Sequence, residues 1–404
     1  MLSACSSSTA SRMARRAPGS RGCVKFQSFR DNGKTLASPA RASKRGGFAD
    51  RAKLVSLCRM KTFAHPDHAG HQPAFFLIRG RTRANFEIPA RAAALEAALH
   101  RLGLAPSMPE AVPVAALHAI HSADYLEFLA EAARDWAALA DAGPEVVANM
   151  HPSPEMLAQG AACSDSIVAR AGWYMADAAC PIGPGTWQAI QGAAACALAA
   201  AREAAAGRSA YALCRPPGHH AYAARAGGHC YVNNAALAAQ ALIDAGAKRV
   251  AVLDIDSHHG NGTQGIFWER GDVLTISIHG DPDRYYPWFV GRTRERGAGA
   301  GDGHNMNMPL AIGTGDEGWL DAIRYAMAAI RDHKTDALVL PLGFDASEHE
   351  PLAALKVTEA GFARAGAMIG GLKLPTAITQ EGGYNVDIIG DLLEGFLKAW
   401  GDAA

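Results

Sequence analysis

Five short apolar runs alternate with stretches of helical periodicity, and this alternation constrains the chain more than any other feature. The runs are "AYALC" (210–214), "RVAVLDID" (249–256), "VLTISIH" (273–279), "DALVLPLG" (336–343) and "PTAITQE" (375–381). They have strand length and are nearly continuously apolar, as strands covered on both faces are. The stretches between them, 233–246, 262–270, 316–332 and 358–371, read as helices. Strands separated by helices predict one parallel sheet with helices on both faces. Upstream, the pattern predicts a helix over 87–103 stopped by Gly103, one over 122–143 capped by Ser122 and stopped by Gly143, and one over 186–207. Between the last two lies 144–186, an irregular stretch with prolines at 144, 152, 154, 181 and 184. A loop this long in a compact domain is usually functional. No repeat and no second domain is apparent.

Polar motifs stand where each run ends. "CRPPGHHA" follows the first, "DIDSHHGNG" ends the second, "SIHGDP" ends the third, and "GFDAS" and "EGGYN" follow the last two. In open α/β sheets, sites form outside the C-terminal ends of the strands. Asp254, Asp256 and His258 alternate, so in extended chain they share a face. An ordinary polar turn would explain one such aspartate; it does not explain five motifs at five strand ends.

Asp256, His258 and Asp345 offer two oxygens and one nitrogen. Three protein ligands with an open fourth position describe a catalytic zinc site, whereas a structural one would be closed and would use cysteine. Fe2+, Co2+ or Mn2+ would also suit this donor set. His219 and His220, fixed in a Pro-Gly turn, can act as proton shuttles beside a metal, because imidazole titrates near neutrality. Each ring needs a partner on its other nitrogen, and Asp254 and Asn261 are the candidates. Tyr384, on a glycine turn, can donate to a developing oxyanion.

Taken together, "CRPPGHHA", "GGHCYVNNAALAAQ", "LDIDSHHGNGTQGIF", "SIHGDP", "LPLGFDASEHEP" and "EGGYN" resemble the zinc-dependent histone deacetylase superfamily, in order and spacing, over residues 60–402. "PIGPGTWQAI" and "FWERGDV…SIHGDP" are similar more narrowly to the bacterial acetylpolyamine amidohydrolases. The resemblance implies a single-domain arginase–deacetylase α/β fold with an eight-stranded parallel sheet. It implies one zinc on Asp256, His258 and Asp345, general acid/base roles for His219 and His220 backed by Asp254 and Asn261, and an oxyanion role for Tyr384. It implies a monovalent cation, K+ or Na+, near Asp254, Asp256, His258 and Ser277, and a second such site near Phe267. The implied reaction releases acetate from an N-acetylated amine.

Resemblance also implies that the substrate chain runs between walls at Gly228–His229 and Tyr286, with histidine standing where many relatives carry an aromatic. The 144–186 stretch matches an insertion that narrows the mouth and supports a homodimer in acetylpolyamine enzymes. Those enzymes carry a glutamate there for a distal ammonium. Val168 stands at that position here, with Glu155, Asp165 and Asp177 as other acids of the segment. Trp173 and Tyr174 would line the mouth or pack a dimer. Small acetylated amines, polyamines included, are the expected substrates. Acetyl-lysine in proteins is the alternative, and a catalytically silent acyl-amine binder is the reading from another class.

Other classes are disfavoured. Net formal charge is zero, and no apolar run reaches membrane-span length, so neither nucleic acid nor membrane is an expected partner. No G-x-S-x-G elbow is present. The glycine-rich 297–310 stretch lacks nucleotide-loop spacing and reads as a loop entering a strand. "DSHHGNG" lacks the extra carboxylates of a two-metal site. Eight scattered cysteines without a C-x-x-C pair suit a reducing compartment, and Cys214 and Cys230 read as small buried hydrophobes. Residues 1–59 are Ser/Arg-rich and lack a secretory apolar region. They read as a transit peptide or as an extension upstream of a start at Met60, disordered in either case. The expected location is the cytoplasm, or an organelle if the segment is a transit peptide.

Overall fold

The computed structural model describes residues 60–404, so the expectation for 1–59 lies outside the described residues. The strands are β1 (Lys61–Phe63), β2 (Phe75–Ile78), β3 (Arg81–Ala84), β4 (Ala210–Ala212), β5 (Val250–Asp254), β6 (Val273–Gly280), β7 (Asn305–Leu310), β8 (Ala337–Leu342) and β9 (Thr376–Gln380). Seven of them form one parallel sheet in the order β1-β4-β9-β8-β5-β6-β7, while β2 and β3 make a separate antiparallel hairpin. All five predicted runs are strands of this sheet.

The apolar runs are explained by what lies on the two faces. Along β5, Val250 and Val252 pack into one core, and Ala251 and Leu253 into the other. Both cores are built of helices, so neither alternate set can be polar. The helices Ala123–Ala137, Thr186–Ala205 and Asn234–Asp244 supply the first; Pro89–Arg101, Asp316–Asp332, Glu359–Gly370 and Ile389–Ala403 supply the second.

The structure corrects several expectations. The parallel sheet has seven strands among the described residues, not eight. Beyond β1 the chain contributes a single bridge, Phe63 to Ser107. Ser107 N–H donates to Thr62 O at 2.8 Å and Ala64 N–H to Ser107 O at 3.2 Å. Pro106 and Pro109 flank it, and without N–H groups they cannot extend the ladder. Ser122 precedes its helix, but its hydroxyl makes no capping bond. That helix stops at Ala137, well short of Gly143. The 144–186 stretch is not wholly irregular; it holds two short helices, Pro154–Ala158 and Ile167–Tyr174. As expected, 297–304 leads into a strand, β7. Among the described residues no helix is long and apolar enough to cross a membrane.

Candidate active site and metal centre

Parallel strands aim their C-terminal ends at one edge, and the five motifs meet there. β5 ends at Asp254, so the alternation argument does not extend to His258. The chain instead turns on its own carboxylates. Asp256 N–H donates to Asp254 Oδ1 at 3.1 Å, and His258 N–H to Asp256 Oδ1 at 2.8 Å. Such aspartate-to-backbone bonds are what make these residues turn formers. They bring Asp256 and His258 together with Asp345, which follows β8.

The ligand atoms of Asp256, His258 and Asp345 all lie within 4.8 Å of one another, and all three residues are buried. His258 Nδ1 is 2.8 Å from Asp345 Oδ2 and 3.2 Å from Asp256 Oδ1. Burial, then the neighbouring Asp256 charge, pushes the Asp345 carboxyl above its ordinary value. Two buried carboxylates held this close call for a cation. The backbone leaves room for the cradle: a Cβ on Gly343 would meet Asp256 Oδ2 at 2.0 Å, and one on Gly382 would meet Asp345 Oδ2 at 2.5 Å. The donor set and the enclosure both fit a divalent metal.

His219 and His220 lie beside this cluster with ring centroids 4.0 Å apart. Their outer partners differ in charge. His219 Nδ1 donates to Asp254 Oδ2 at 2.8 Å, and His220 Nδ1 to Asn261 Oδ1 at 2.6 Å. Burial alone would depress both pKa values. For His219 the charges of Asp254 and Asp256 outweigh burial and raise it well above the ordinary value. For His220, burial, His219 and His258 act together and hold it well below. The two rings are therefore pulled in opposite directions.

Above them opens a cavity of about 1480 Å³ whose lining includes His220, His258, Gly228, His229, Tyr286 and Tyr384. Every expected wall residue thus faces it. Gly228 sits at φ +52, and a Cβ there would meet the His220 ring at 2.4 Å, so only glycine fits. Tyr286 O–H donates to Asp177 Oδ2 at 2.7 Å. Trp173 also lines the cavity, whereas Tyr174 is buried beside Tyr125 and Phe128 and bonds Asp124. Val168 is 38% exposed and lies outside the lining, as do Glu155 and Asp165. Ser277 lies opposite Asp254 in the β5–β6 register. Phe267 is buried with the Arg270 guanidinium 5.2 Å from its ring centroid.

Sequence reading missed a buried charged network behind the site. Arg91 donates to Glu381 O at 2.6 Å and to Glu87 Oε1 at 2.7 Å, and it also donates to Gly383 O. Its guanidinium lies 4.8 Å from the Tyr384 ring centroid. Arg215 Nε lies 2.9 Å from Glu87 Oε1. Glu350 accepts the Tyr384 and Asn385 N–H groups, and Glu381 Oε2 accepts those of Gly218 and His219. Tyr285 stacks on His258 at 4.4 Å. His219, Cys230 and Glu381 form a second convergent group, but burial first, then Glu381, keeps the Cys230 thiol well above its ordinary pKa and so neutral. Cys214 is buried and equally inert, as expected.

The sequence pattern of the histone deacetylase domain matches residues 85–400. The chain belongs to the histone deacetylase family. It is 44% identical over 344 residues to the acetylpolyamine amidohydrolase of Burkholderia pseudomallei (strain 1710b), covering 85% of this chain and 99% of that one. It is 38% identical over 345 residues to the acetylpolyamine amidohydrolase of Mycoplana ramosa, covering 84% and 99%. The crystal structure of acetylpolyamine aminohydrolase from Burkholderia pseudomallei superimposes with a TM-score of 0.81 at 43% identity, covering 85% of this chain and 98% of that one. The HDA15 HD domain superimposes with a TM-score of 0.69 at 25% identity, covering 84% and 88%. This histone deacetylase family fold is therefore shared along nearly the whole described chain.

Proposed function

We propose that the chain is a metal-dependent amidohydrolase that releases acetate from small N-acetylated amines. One observation carries the reading: a buried Asp–His–Asp cluster stands next to two adjacent histidine rings, one backed by a carboxylate and the other by an amide, at the floor of a cavity that Tyr384 lines. The relatives' names put acetylpolyamines first among candidate substrates, with acetyl-lysine in proteins second. Zinc is the proposed ion, held by Asp256, His258 and Asp345; bound there it would supply Lewis acidity toward the amide carbonyl and water.

The protein's own groups divide the proton work. His220, its pKa held low, accepts the proton of the attacking water at Nε2 while its Nδ1 keeps its own proton, donated to Asn261 Oδ1. His219, its pKa held high by Asp254, gives a proton from Nε2 to the leaving nitrogen. The Tyr384 hydroxyl donates to the carbonyl oxygen as that atom gains charge. Arg91 and Glu350 fix the backbone on either side of Tyr384, so the donor is placed before substrate arrives. A K+ or Na+ beside Asp254 and Ser277, and another near Phe267, belong to the same proposal. So do a cytoplasmic location and a homodimer through 144–186. Exposed Met150, Met156, Leu157 and Val168 on that stretch support the dimer, which sedimentation tests.

The test is acetate release by the zinc-loaded protein from acetylputrescine, acetylspermidine, acetylcadaverine and an acetyl-lysine peptide, with Tyr384→Phe as control. The expected result is turnover of the small amines that the substitution abolishes. Preference for the peptide would transfer the chain to the protein deacetylases. No turnover of any substrate with zinc bound would overturn the reading.

A further inference from the structure

Positive charge predominates around the cavity. Arg79, Arg81 and Arg83 on the β2–β3 hairpin line it, together with Arg225 and Arg284. The hairpin arginines and Arg284 are exposed, and Arg225 is half-buried with a buried Nε that has no hydrogen-bond partner. Among the described residues none of the five is ion-paired; the nearby acid Asp283 is held by Arg292 at 2.8 Å.

Among the described residues one carboxylate, Asp177, is part of the lining, and its oxygens are already hydrogen-bonded within the protein. Oδ1 accepts Ala179 N–H at 2.8 Å, and Oδ2 accepts Tyr286 O–H at 2.7 Å and Gly228 N–H at 3.1 Å. Asp177 therefore braces both walls of the cavity, and freeing it for a ligand would undo them. Between the arginines the rim is apolar: Leu77, Trp288, Phe289 and Ile312 are exposed and line the same opening. A cationic tail passing here would meet five guanidinium charges against the one carboxylate of Asp177, whose oxygens are already hydrogen-bonded within the protein. In an opening with low-dielectric walls such a field is focused and decides which ions accumulate. Guanidinium groups also match carboxylate and phosphate geometry.

Resting on the deacetylase reading above, we propose that this mouth selects an acetylated amine whose far end carries an anionic group, such as a carboxylate, rather than a second ammonium. The amide reaches the floor while the apolar rim holds the methylene chain and the arginines hold the anion. Substrate preference then departs from what the relatives' names print, through the charge of this chain's own hairpin.

Three acetamides with matched four-carbon chains separate the alternatives: N-acetylputrescine (ammonium end), N-butylacetamide (neutral end) and N-acetyl-δ-aminovalerate (carboxylate end). With the full-length zinc-loaded protein, kcat/KM is expected to fall in the order carboxylate, neutral, ammonium. The span between extremes should be at least roughly tenfold at low salt and shrink as ionic strength rises. The triple substitution Arg81→Ala, Arg83→Ala, Arg225→Ala should raise KM for the carboxylate compound and leave the neutral one unchanged. Equal kcat/KM for all three, or preference for N-acetylputrescine, would overturn the inference while leaving the deacetylase reading intact. Failure to hydrolyse even the neutral amide would instead sink the reading beneath it.

Discussion

Asp254 accepts a hydrogen bond from His219 Nδ1 at 2.8 Å, and its charge, with that of Asp256, outweighs burial and raises the ring's pKa well above its ordinary value. Asp254→Asn keeps the hydrogen bond and removes the charge. The His219 pKa then falls. If its proton is delivered to the leaving nitrogen, the alkaline limb of the kcat profile moves to lower pH. A loss of about 10–100-fold in kcat near neutrality is expected for a partner of this kind. Measuring kcat against pH for both proteins checks it; an unmoved alkaline limb would show that the His219 proton is not used.

The Asp256–His258–Asp345 cluster is expected to hold one divalent ion per chain. Asp345→Ala removes one of three ligands and relieves carboxylate crowding. Elemental analysis after dialysis should show stoichiometric metal in the wild type and little in the variant. Chelator should abolish acetate release, and added zinc should restore it in the wild type alone. The wild type should also lose thermal stability on chelation, because it then buries two close carboxylates without their cation. A chelated protein with unchanged Tm and full activity would contradict the metal reading.

The parts of the fold legible in the sequence were those with two apolar faces. β5, β6 and β8 read as strands because Val250–Leu253, Val273–Leu274 and Leu338–Leu340 pack into both cores. β1 lies in "MKTFAHPDHAG", which reads as the start of a strand, whereas the lone bridge at Ser107 carries no periodic signal, so that edge of the sheet had to be seen. The reactive residues were legible because they cluster in sequence directly after strands. The network that positions them was not. Arg91 and Glu87 look like surface charges in one dimension, and nothing but packing reveals that they are buried. Arg215, Glu350 and Glu381 stand inside quoted motifs, and a charge wedged among such residues was the available signal. The expected shared face for Asp254 and His258 rested on extended backbone, whereas aspartate turns bring the ligands together.

Arg91 connects the helix Pro89–Arg101 to the Tyr384 turn, so its removal should act on both stability and rate. Arg91→Met leaves the Gly383 carbonyl without its donor and the Glu381 carbonyl with only the longer bond from Gln380, and leaves Glu87 with Arg215 and His71 alone. Breaking a buried pair from one side costs on the order of 3–5 kcal/mol. Urea unfolding should show that loss. In material that remains folded, kcat should fall more than KM rises, since Tyr384 loses its placement and the mouth is untouched. A stable variant with normal kcat would mean that Glu350 alone positions the turn.

Acid should destabilise the fold before any carboxylate of ordinary pKa titrates, and His121 shows why. Its ring is buried; Nδ1 donates to Ala223 O at 3.3 Å, and Nε2 accepts Asn233 N–H at 3.0 Å. Only the neutral ring can do both. Burial lowers its pKa from 6.5 to about 4. Between those values the unfolded chain binds a proton that the folded chain refuses, so stability falls as pH drops through that window. A displacement of that size corresponds to on the order of 3 kcal/mol for this one group. The buried rings of His71 and His279, lowered to about 4 mainly by burial, add to the same slope. Urea midpoints taken from pH 7.5 down to pH 4.5 should decline across this range. His121→Gln, whose amide can replace one of the two bonds without titrating, should start less stable at pH 7.5 and lose less on acidification. Parallel curves for the two proteins would show that His121 charges as readily folded as unfolded.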